Sequence, residues 1–570
     1  VFFAKLTPKR RREGQLVLII CIIYLLLWLS IPKPAFWGLD NGYKFQGARA
    51  FAKTATLSVP YAGLSFDPNG SYRPIFHPFG IMNEGQQIPV FSVTFMILAG
   101  IFFWIFGSIG PFLLPLIGGW GCLIAAWFLW VRNRSIHDGR LYLLIFGLGS
   151  PLLFYSLTLW EHSLSLIPVI FAIAFLGRRK QERKPLEIWE VIASGALIAV
   201  AVSLRSEAIM WIPALLISWK WTGRKLDHVI YFILGFGLAI VMFSILNKMF
   251  TGSLIPLHLV TNVDLFSITS IKRLIITRLQ NFYILMFEGF DQNLLSILGL
   301  VPLVLVLSWR AWRVKARHWW FIVAAVGAAW FMFIANHISQ SNPIGFTTNS
   351  SGLLWISPIA VLGLLVARGE NRHFWWMIWA SSAIYILTIA LATPKVEGVH
   401  WGPRFILQAF PFLLILAAAR AQKWWKKYRP VRPVVIILVI ISLLNQFYSI
   451  GLLWRAHDEN FKLNTWAAET GPDVTITNIL WLNGDLGMVS DMHPSYYARR
   501  QDAILKVLQG LRSQGYGKFH FLELPPYNSE ELWNWVGAEK LRVDYVFEVG
   551  ETNARIRRTT LKIIPGTGSP

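Results

Sequence analysis

Trp37-Gly38-Leu39-Asp40-Asn41-Gly42-Tyr43-Lys44 opens a polar stretch, residues 32–89, that directly follows the first long apolar run of the chain, Gln15 to Ile31. The run is preceded by Lys5, Lys9, Arg10, Arg11 and Arg12. That order imitates a secretory signal, but the apolar part is long and no A-x-A-like cleavage site follows it, so it reads as a retained first membrane span. Asp40 then sits just outside a span. A carboxylate costs several kcal/mol near hydrocarbon unless it faces water, a partner or a substrate, which makes Asp40 a functional candidate.

Outward from this stretch the same pattern recurs. Of 570 residues 55% are hydrophobic, with 28 Trp and 40 Phe, and apolar runs long enough to span a bilayer as helices repeat along the chain. The fold class is an all-α polytopic membrane protein. The formal charge of +23 would suit nucleic acid, but the basic residues are scattered between spans, so no nucleic-acid partner is expected. They fall at Arg132/Arg134/Arg140, Arg178 to Lys184, Lys220/Arg224/Lys225, Arg310 to Arg317, Arg368/Arg372 and Arg420 to Arg432. If basic loops stay cytosolic, all of these share one side with the N-terminal cluster. The two cysteines, Cys21 and Cys122, lie in apolar runs and offer neither a disulfide framework nor a metal site.

This parity gives thirteen spans, near 15–31, 111–131, 141–158, 163–176, 186–203, 206–219, 228–250, 293–308, 318–336, 351–367, 373–392, 404–420 and 433–455. Counting Val90 to Gly107 as another crossing would invert every later loop. It is read instead as a helix dipping into or lying on the outer leaflet, broken at Gly107, Gly110 and Pro111. A re-entrant pair is the alternative. The N-terminus lies inside a cytoplasmic membrane and the C-terminus outside. Residues 1–455 form the transmembrane domain and 456–570 a small exterior α/β domain, with strands at Val474 to Leu482, Lys518 to Leu524 and Arg542 to Val549 and a helix at Tyr497 to Gln514.

The motif-like polar residues collect on the exterior side. Asp40, with Tyr43 and Lys44 after it, begins a stretch to Leu57 that patterns as an amphipathic helix along the membrane surface: Tyr43, Ala48, Phe51 and Ala52 on one side, Lys44, Arg49 and Lys53 on the other. A base there can take a proton from a sugar hydroxyl while a lipid headgroup approaches from the bilayer. Asp40-Asn41-Gly42 is equally turn chemistry. Glu161 and His162 occupy a corner between two spans and can bind a sugar, a phosphate or, with Asp40, a divalent cation such as Mg or Mn; they can also be solvated end residues. Arg205 needs an anion, either Glu207 or a lipid-linked phosphate. His400 and Arg404 bracket Trp401-Gly402-Pro403 at a span start, where a guanidinium and free N–H groups make an anion site, with Lys395 adding charge; Arg404 can instead snorkel to headgroups. His258, Asn262 and Asp264, and in the first loop Asp67, Arg73, His77 and Glu84, carry little weight because their spacing defines no mechanism.

The order of these pieces resembles the glycosyltransferase C superfamily, which includes protein O-mannosyltransferases and the aminoarabinose transferase of lipid A. The likeness is carried by Asp40-Asn41-Gly42-Tyr43-Lys44 with Gln46, the Trp160-Glu161-His162 and Arg205-x-Glu207 corners, Thr251-Gly252-Ser253 and Gly402-Pro403-Arg404-Phe405. It implies transfer of a sugar, with inversion, from a polyprenyl-phosphate donor to a glycan, lipid or protein acceptor, with Asp40 at the catalytic centre and membrane lipids as surroundings. One departure is that mannosyltransferases of this superfamily commonly carry two adjacent acidic residues where Asn41 follows Asp40 here. The rival readings are a transporter, a non-enzymatic scaffold subunit of a membrane assembly, and a ligase or polymerase using a lipid-diphosphate donor.

Overall fold

A computed structural model describes residues 7–132, 138–177, 188–222, 225–261, 271–288, 352–365, 372–394, 396, 400–469, 473–516, 518–523, 545–553 and 556–563. Among the described residues the chain is mostly helical, with two small sheets. The helices of the first half are α1 (Pro8–Ser30), α2 (Leu39–Thr54), α3 (Val93–Phe106), α4 (Gly110–Arg132), α5 (Arg140–Gly147), α6 (Leu152–Tyr155), α7 (His162–Leu176), α8 (Ile188–Leu204), α9 (Trp211–Ile217), α10 (His228–Thr251), α11 (Leu257–Thr261) and α12 (Ile271–Met286). Then come α13 (Leu353–Ile356), α14 (Val361–Leu364), α15 (Arg372–Ala392), α16 (Phe410–Lys427), α17 (Arg432–Glu469), α18 (Leu482–Asp485) and α19 (Gln501–Ser513). Among the described residues, six helical stretches are long and apolar enough to cross a membrane: α1, Val93–Arg132, α10, His373–Ala392, Arg404–Lys427 and α17. Shorter apolar helices coincide with other expected spans. The spans expected at 293–308 and 318–336 lie outside the described residues.

Two expected spans are interrupted. The run 141–158 is split into α5 and α6 ahead of Pro151, and 351–367 into α13 and α14 around Pro358. Proline lacks an N–H and clashes with the preceding turn, so a helix ends there. The exposed carbonyls are met by side chains: Ser357 Oγ donates to Gly149 O at 2.7 Å and Gln446 Nε2 to Ile356 O at 2.9 Å. In a low-dielectric bundle such groups need partners inside the protein.

The bundle has two distinguishable ends. Helices α4 and α7 run side by side in the same direction, Gly118 meeting Ser163 near their starts and Phe128 meeting Phe171 and Phe175 further along. Helix α8 returns antiparallel, Ser194 Oγ reaching Ala172 O at 3.2 Å, so its last residues lie at the end where α4 and α7 begin. There Trp28, closing α1, donates from Nε1 to Phe112 O at 3.0 Å. Helix α3 spans this same end: Ser92 Oγ before it donates to Ser203 O at 2.8 Å, and it breaks at Gly107 (φ 64°) directly before α4.

Above this end lies a layer built from residues 32–89 and the C-terminal segment. Strands β1 (Val59–Pro60), β2 (Gly80–Asn83) and β3 (Gln86–Pro89) form an antiparallel sheet in the order β1-β3-β2. The second sheet, in the order β5-β4-β6-β8-β7, comprises β4 (Val474–Thr477), β5 (Ser495–Tyr497), β6 (Lys518–Glu523), β7 (Tyr545–Asn553) and β8 (Ile556–Ile563). β4 pairs in parallel with β5 and β6; β8 pairs antiparallel with β6 and β7. Ile504, Val507, Leu508 and Leu511 of α19 recur at helical spacing and are buried. The two sheets are joined by contacts such as Tyr497 N to Tyr72 O at 3.0 Å and the stacked rings of Phe76 and Tyr497. Helix α17 runs unbroken through residues 455 and 456, where the soluble segment was expected to begin, because no glycine or proline interrupts the chain between Trp454 and Glu469.

Candidate functional site

Asp40 lies in the first turn of α2, where helical N–H groups favour a carboxylate. This helix departs from the surface-lying amphipathic helix expected of it. Residues Asn41 to Arg49 are all buried, with Lys44 only 2% and Arg49 6% exposed. The polar side is covered up to Arg49 because Lys44 and Arg49 find partners above or below, while Lys53 at its end stays exposed. Arg49 donates to Met488 O at 2.7 Å and Ser490 Oγ at 2.6 Å and pairs with Asp491, which also holds Lys53. Asn41 Nδ2 reaches Leu159 O at 2.5 Å, and Tyr43 donates to Pro74 O at 2.7 Å inside the loop wall. At Gly42 the fit tolerates no side chain, since a Cβ there would collide with the carbonyl of Gly484 in α18.

Across the cleft, Gly402-Pro403 ends an irregular segment and a 3₁₀ turn, Arg404–Ala409, begins. Arg404 Nη1 stands 3.8 Å from Asp40 Oδ2, and both side chains keep some exposure, 18% and 25%. This is an ion pair without a tight hydrogen bond, and the Arg404 Nε has no hydrogen-bond partner. The guanidinium lies 4.9 Å from the Phe405 ring centroid and 5.9 Å from that of Trp160. His400 is buried with its ring edge-on to Phe405. Lys395 lies outside the described residues, as do Asn262 and Asp264.

Behind the Asp40–Arg404 pair is a buried ionic chain. Glu161 accepts from Lys44 Nζ at 2.7 Å on one oxygen and from Arg205 Nη1 at 3.0 Å on the other. Arg205 turns its remaining donors to Glu207, Nε at 2.6 Å. Burial alone would raise the Glu161 carboxyl, but Lys44 and Arg205 outweigh it and hold it at about 2. Burial lowers Lys44, opposed by Glu161. Lys44 is thus engaged with Glu161, Arg205 takes the Glu207 pairing that the sequence left open beside a lipid-linked phosphate, and Arg404 is the most exposed cation of this cluster. The six charges Asp40, Glu161, Glu207, Lys44, Arg205 and Arg404 balance.

His162 is buried, stacked on Tyr155 at 4.3 Å and beside Trp160, and neither ring nitrogen has a hydrogen-bond partner. With Tyr155 and Trp160 it forms an aromatic floor below Arg404. The possible cation ligands Asp40, Glu161 and His162 do not converge: among the described residues no three His, Cys, Asp or Glu side chains group as metal ligands, and both oxygens of Glu161 are taken by cations. Of the other first-loop candidates, Asp67 is a strut of the loop, accepting from Tyr61 OH at 2.7 Å and Tyr72 N at 2.8 Å, and Arg73 donates to backbone carbonyls.

Two groups gain weight from the fold. His258 Nε2 lies 2.7 Å from Ser206 Oγ, beside the Arg205–Glu207 pair, and burial lowers it to about 4 despite Glu207. Asp485, in the turn against α2, has an enclosed Oδ1 without a hydrogen-bond partner, and burial raises its carboxyl to about 8. Asp485 was not legible as a site residue, and His258 was named from the sequence with little weight. Asp485 sits in a segment of ordinary soluble composition, and His258 needed the approach of α11 to the turn after α8.

No family model matches the chain, and no curated protein matches it. Among solved structures, ArnT from Cupriavidus metallidurans bound to undecaprenyl phosphate is similar at 12% identity, with 97% of this chain and 99% of that one covered and a TM-score of 0.52. The same protein in the apo state gives 12% identity, coverages of 96% and 97% and a TM-score of 0.49. The oligosaccharyltransferase of Archaeoglobus fulgidus in its apo form gives 10% identity, coverages of 90% and 69% and a TM-score of 0.47. On the near end-to-end likeness to the lipid-bound ArnT structure, the chain shares the fold of that protein.

Proposed function

We propose that this protein is a membrane glycosyltransferase that moves a sugar from a polyprenyl-phosphate carrier to an acceptor at the exterior face. The observation that carries this reading is the Asp40–Arg404 pair, 3.8 Å apart and partly exposed, at the end of an apolar bundle whose fold is shared with a structure that binds undecaprenyl phosphate. The reading takes thirteen crossings, the N-terminus inside, the C-terminal α/β segment outside, and α3 lying along the outer leaflet.

In the reaction, Asp40 accepts the proton of the acceptor nucleophile as its lone pair attacks the anomeric carbon. The bond from that carbon to the phosphate oxygen breaks on the opposite face, and its electrons leave with polyprenyl phosphate, inverting the centre. Arg404 neutralises the departing phosphate, with His400 two residues before Gly402-Pro403. Before donor binds, Arg404 and Asp40 restrain each other; an arriving phosphate draws Arg404 away and frees the carboxylate. Glu161, with Lys44 and Arg205, holds the rear wall, and His162 offers its unpartnered ring nitrogens to the sugar. A divalent cation on Asp40, Glu161 and His162 would have to displace Lys44 and Arg205 from Glu161, so no step here runs through one. The acceptor class, glycan, lipid or protein, stays open.

Transport is less well supported, since transporters gather ionisable groups near the bilayer midplane, whereas this ionic cluster occupies one bundle end. The test is sugar transfer from a polyprenyl-phosphate donor by purified protein. Asp40→Asn and Arg404→Ala are each expected to fold and to lose about 10²-fold or more in turnover. Near-normal turnover in both rejects the assignment.

A further inference from the structure

The end of the bundle opposite the Asp40–Arg404 pair holds a cavity of about 780 Å³ between α1, α5, α16 and α17. Its size falls in the range of small-molecule sites. Its lining is graded. Lys9, Arg140 and Lys426 stand at the helix ends, while Leu144, Val439 and Ile440 continue it toward the middle of the bundle. Ile436 and Ile440 on the wall are 44% and 48% exposed, and Trp425 at the polar end 39%, so the crevice opens sideways where lipid tails would lie. Asp138 is the acidic group on this lining; it is engaged with Arg140, Nε to Oδ2 at 2.7 Å, and lies within electrostatic reach of Lys9, while Gln422 donates to its carbonyl.

A water-soluble ligand has no use for a slot open to hydrocarbon, and an uncharged hydrocarbon has no use for three cations. We propose that this crevice is a binding site for an anionic phospholipid of the leaflet opposite the Asp40 cleft, its phosphate held by Lys426 and Lys9 at the helix ends and one acyl chain laid along Leu144, Val439 and Ile440. Basic pockets between membrane helices take acidic headgroups in this way. Separate snorkelling of each cation to bulk headgroups is the alternative. It leaves unexplained why cations on three different helices border one crevice with an apolar continuation.

The experiment uses the full-length protein in nanodiscs of phosphatidylcholine doped with phosphatidylglycerol carrying a photoreactive acyl chain. Labelled residues are mapped by peptide mass spectrometry. Labelling is expected on α5, α16 and α17 around Leu144 and Val439, and about fivefold weaker in Lys426→Gln, as removal of one basic contact implies. Val439→Trp, which fills the slot without touching the cations, should abolish labelling while leaving sugar transfer intact. Equal labelling by a phosphatidylcholine probe, unchanged labelling in both variants, or labels dispersed over the whole lipid-facing surface would overturn the proposal. Displacement by millimolar inorganic phosphate would overturn it in favour of a headgroup-sized anion site, and displacement by equimolar undecaprenyl phosphate in favour of the carrier lipid. Because these variants lie at the far end from Asp40, failure here and failure of the transferase reading are separate results.

Discussion

Glu161 accepts from two cations at once while almost wholly enclosed, so its removal costs more than a single salt bridge. Glu161→Gln leaves Lys44 buried and uncompensated, and breaking a buried pair from one side costs about 3–5 kcal/mol. The expected outcome is a markedly lower unfolding temperature in detergent. A wild-type-like value would show that the ionic chain is not structural. Asp485 behaves in the opposite sense with pH. Glu161, held at about 2, contributes stability that is full above the unfolded carboxylate pKa and lost as pH falls toward about 2. Asp485, raised to about 8, favours the folded state only while protonated, so its contribution fades as pH climbs from the ordinary carboxylate range to about 8. Asp485→Asn should therefore be the more stable protein at pH 8, with the advantage vanishing near pH 4; an advantage independent of pH would reject the buried-acid reading. Asp40 and Arg404 were legible because isolated charges at span ends are conspicuous in an apolar sequence. Their partners were less so, since Lys44 to Glu161 is a contact across 117 positions that no local pattern encodes.

Helix α2 is the element on which the site depends, because it carries Asp40 on its first turn and Lys44 one turn later while being pressed from both sides. Its existence was readable from the sequence; its burial was not, because Lys44, Arg49 and Lys53 look like a solvated face until Glu161 takes Lys44 and the C-terminal segment supplies Met488, Ser490 and Asp491 to the other two. Two glycines on this helix give a graded test. In Gly42→Ala the new methyl meets the backbone of Gly484, which cannot step aside, and overpacking of that kind costs about 1–3 kcal/mol. In Gly47→Ala the obstacle is the thioether of Met96, which can turn away. Sugar transfer should fall at least tenfold in Gly42→Ala and only slightly in Gly47→Ala. Equal losses would mean that the α2–α18 contact does not set the position of Asp40.

At the scale of the molecule, the long apolar helices were legible from composition and length, while the interruptions ahead of Pro151 and Pro358 became visible only when the carbonyls freed there found Ser357 and Gln446. Lys53 and Lys426 stand at opposite ends of the bundle. Lys53→Cys and Lys426→Cys, made in a protein lacking Cys21 and Cys122, should therefore react with a membrane-impermeant maleimide from opposite faces of a sealed vesicle. Reaction from one face would break the proposed topology. Helix α17 bears on how the site is reached. At 38 residues it is about 57 Å long, against roughly 30 Å of hydrocarbon, so on the proposed topology close to half of it stands clear of the bilayer as a stiff mast. With the C-terminal sheet packed on the top of that mast, the cover above Asp40 cannot tilt back like a hinged lid, and under the proposed transferase reading a long isoprenoid slides in edgewise through the flank of the bundle.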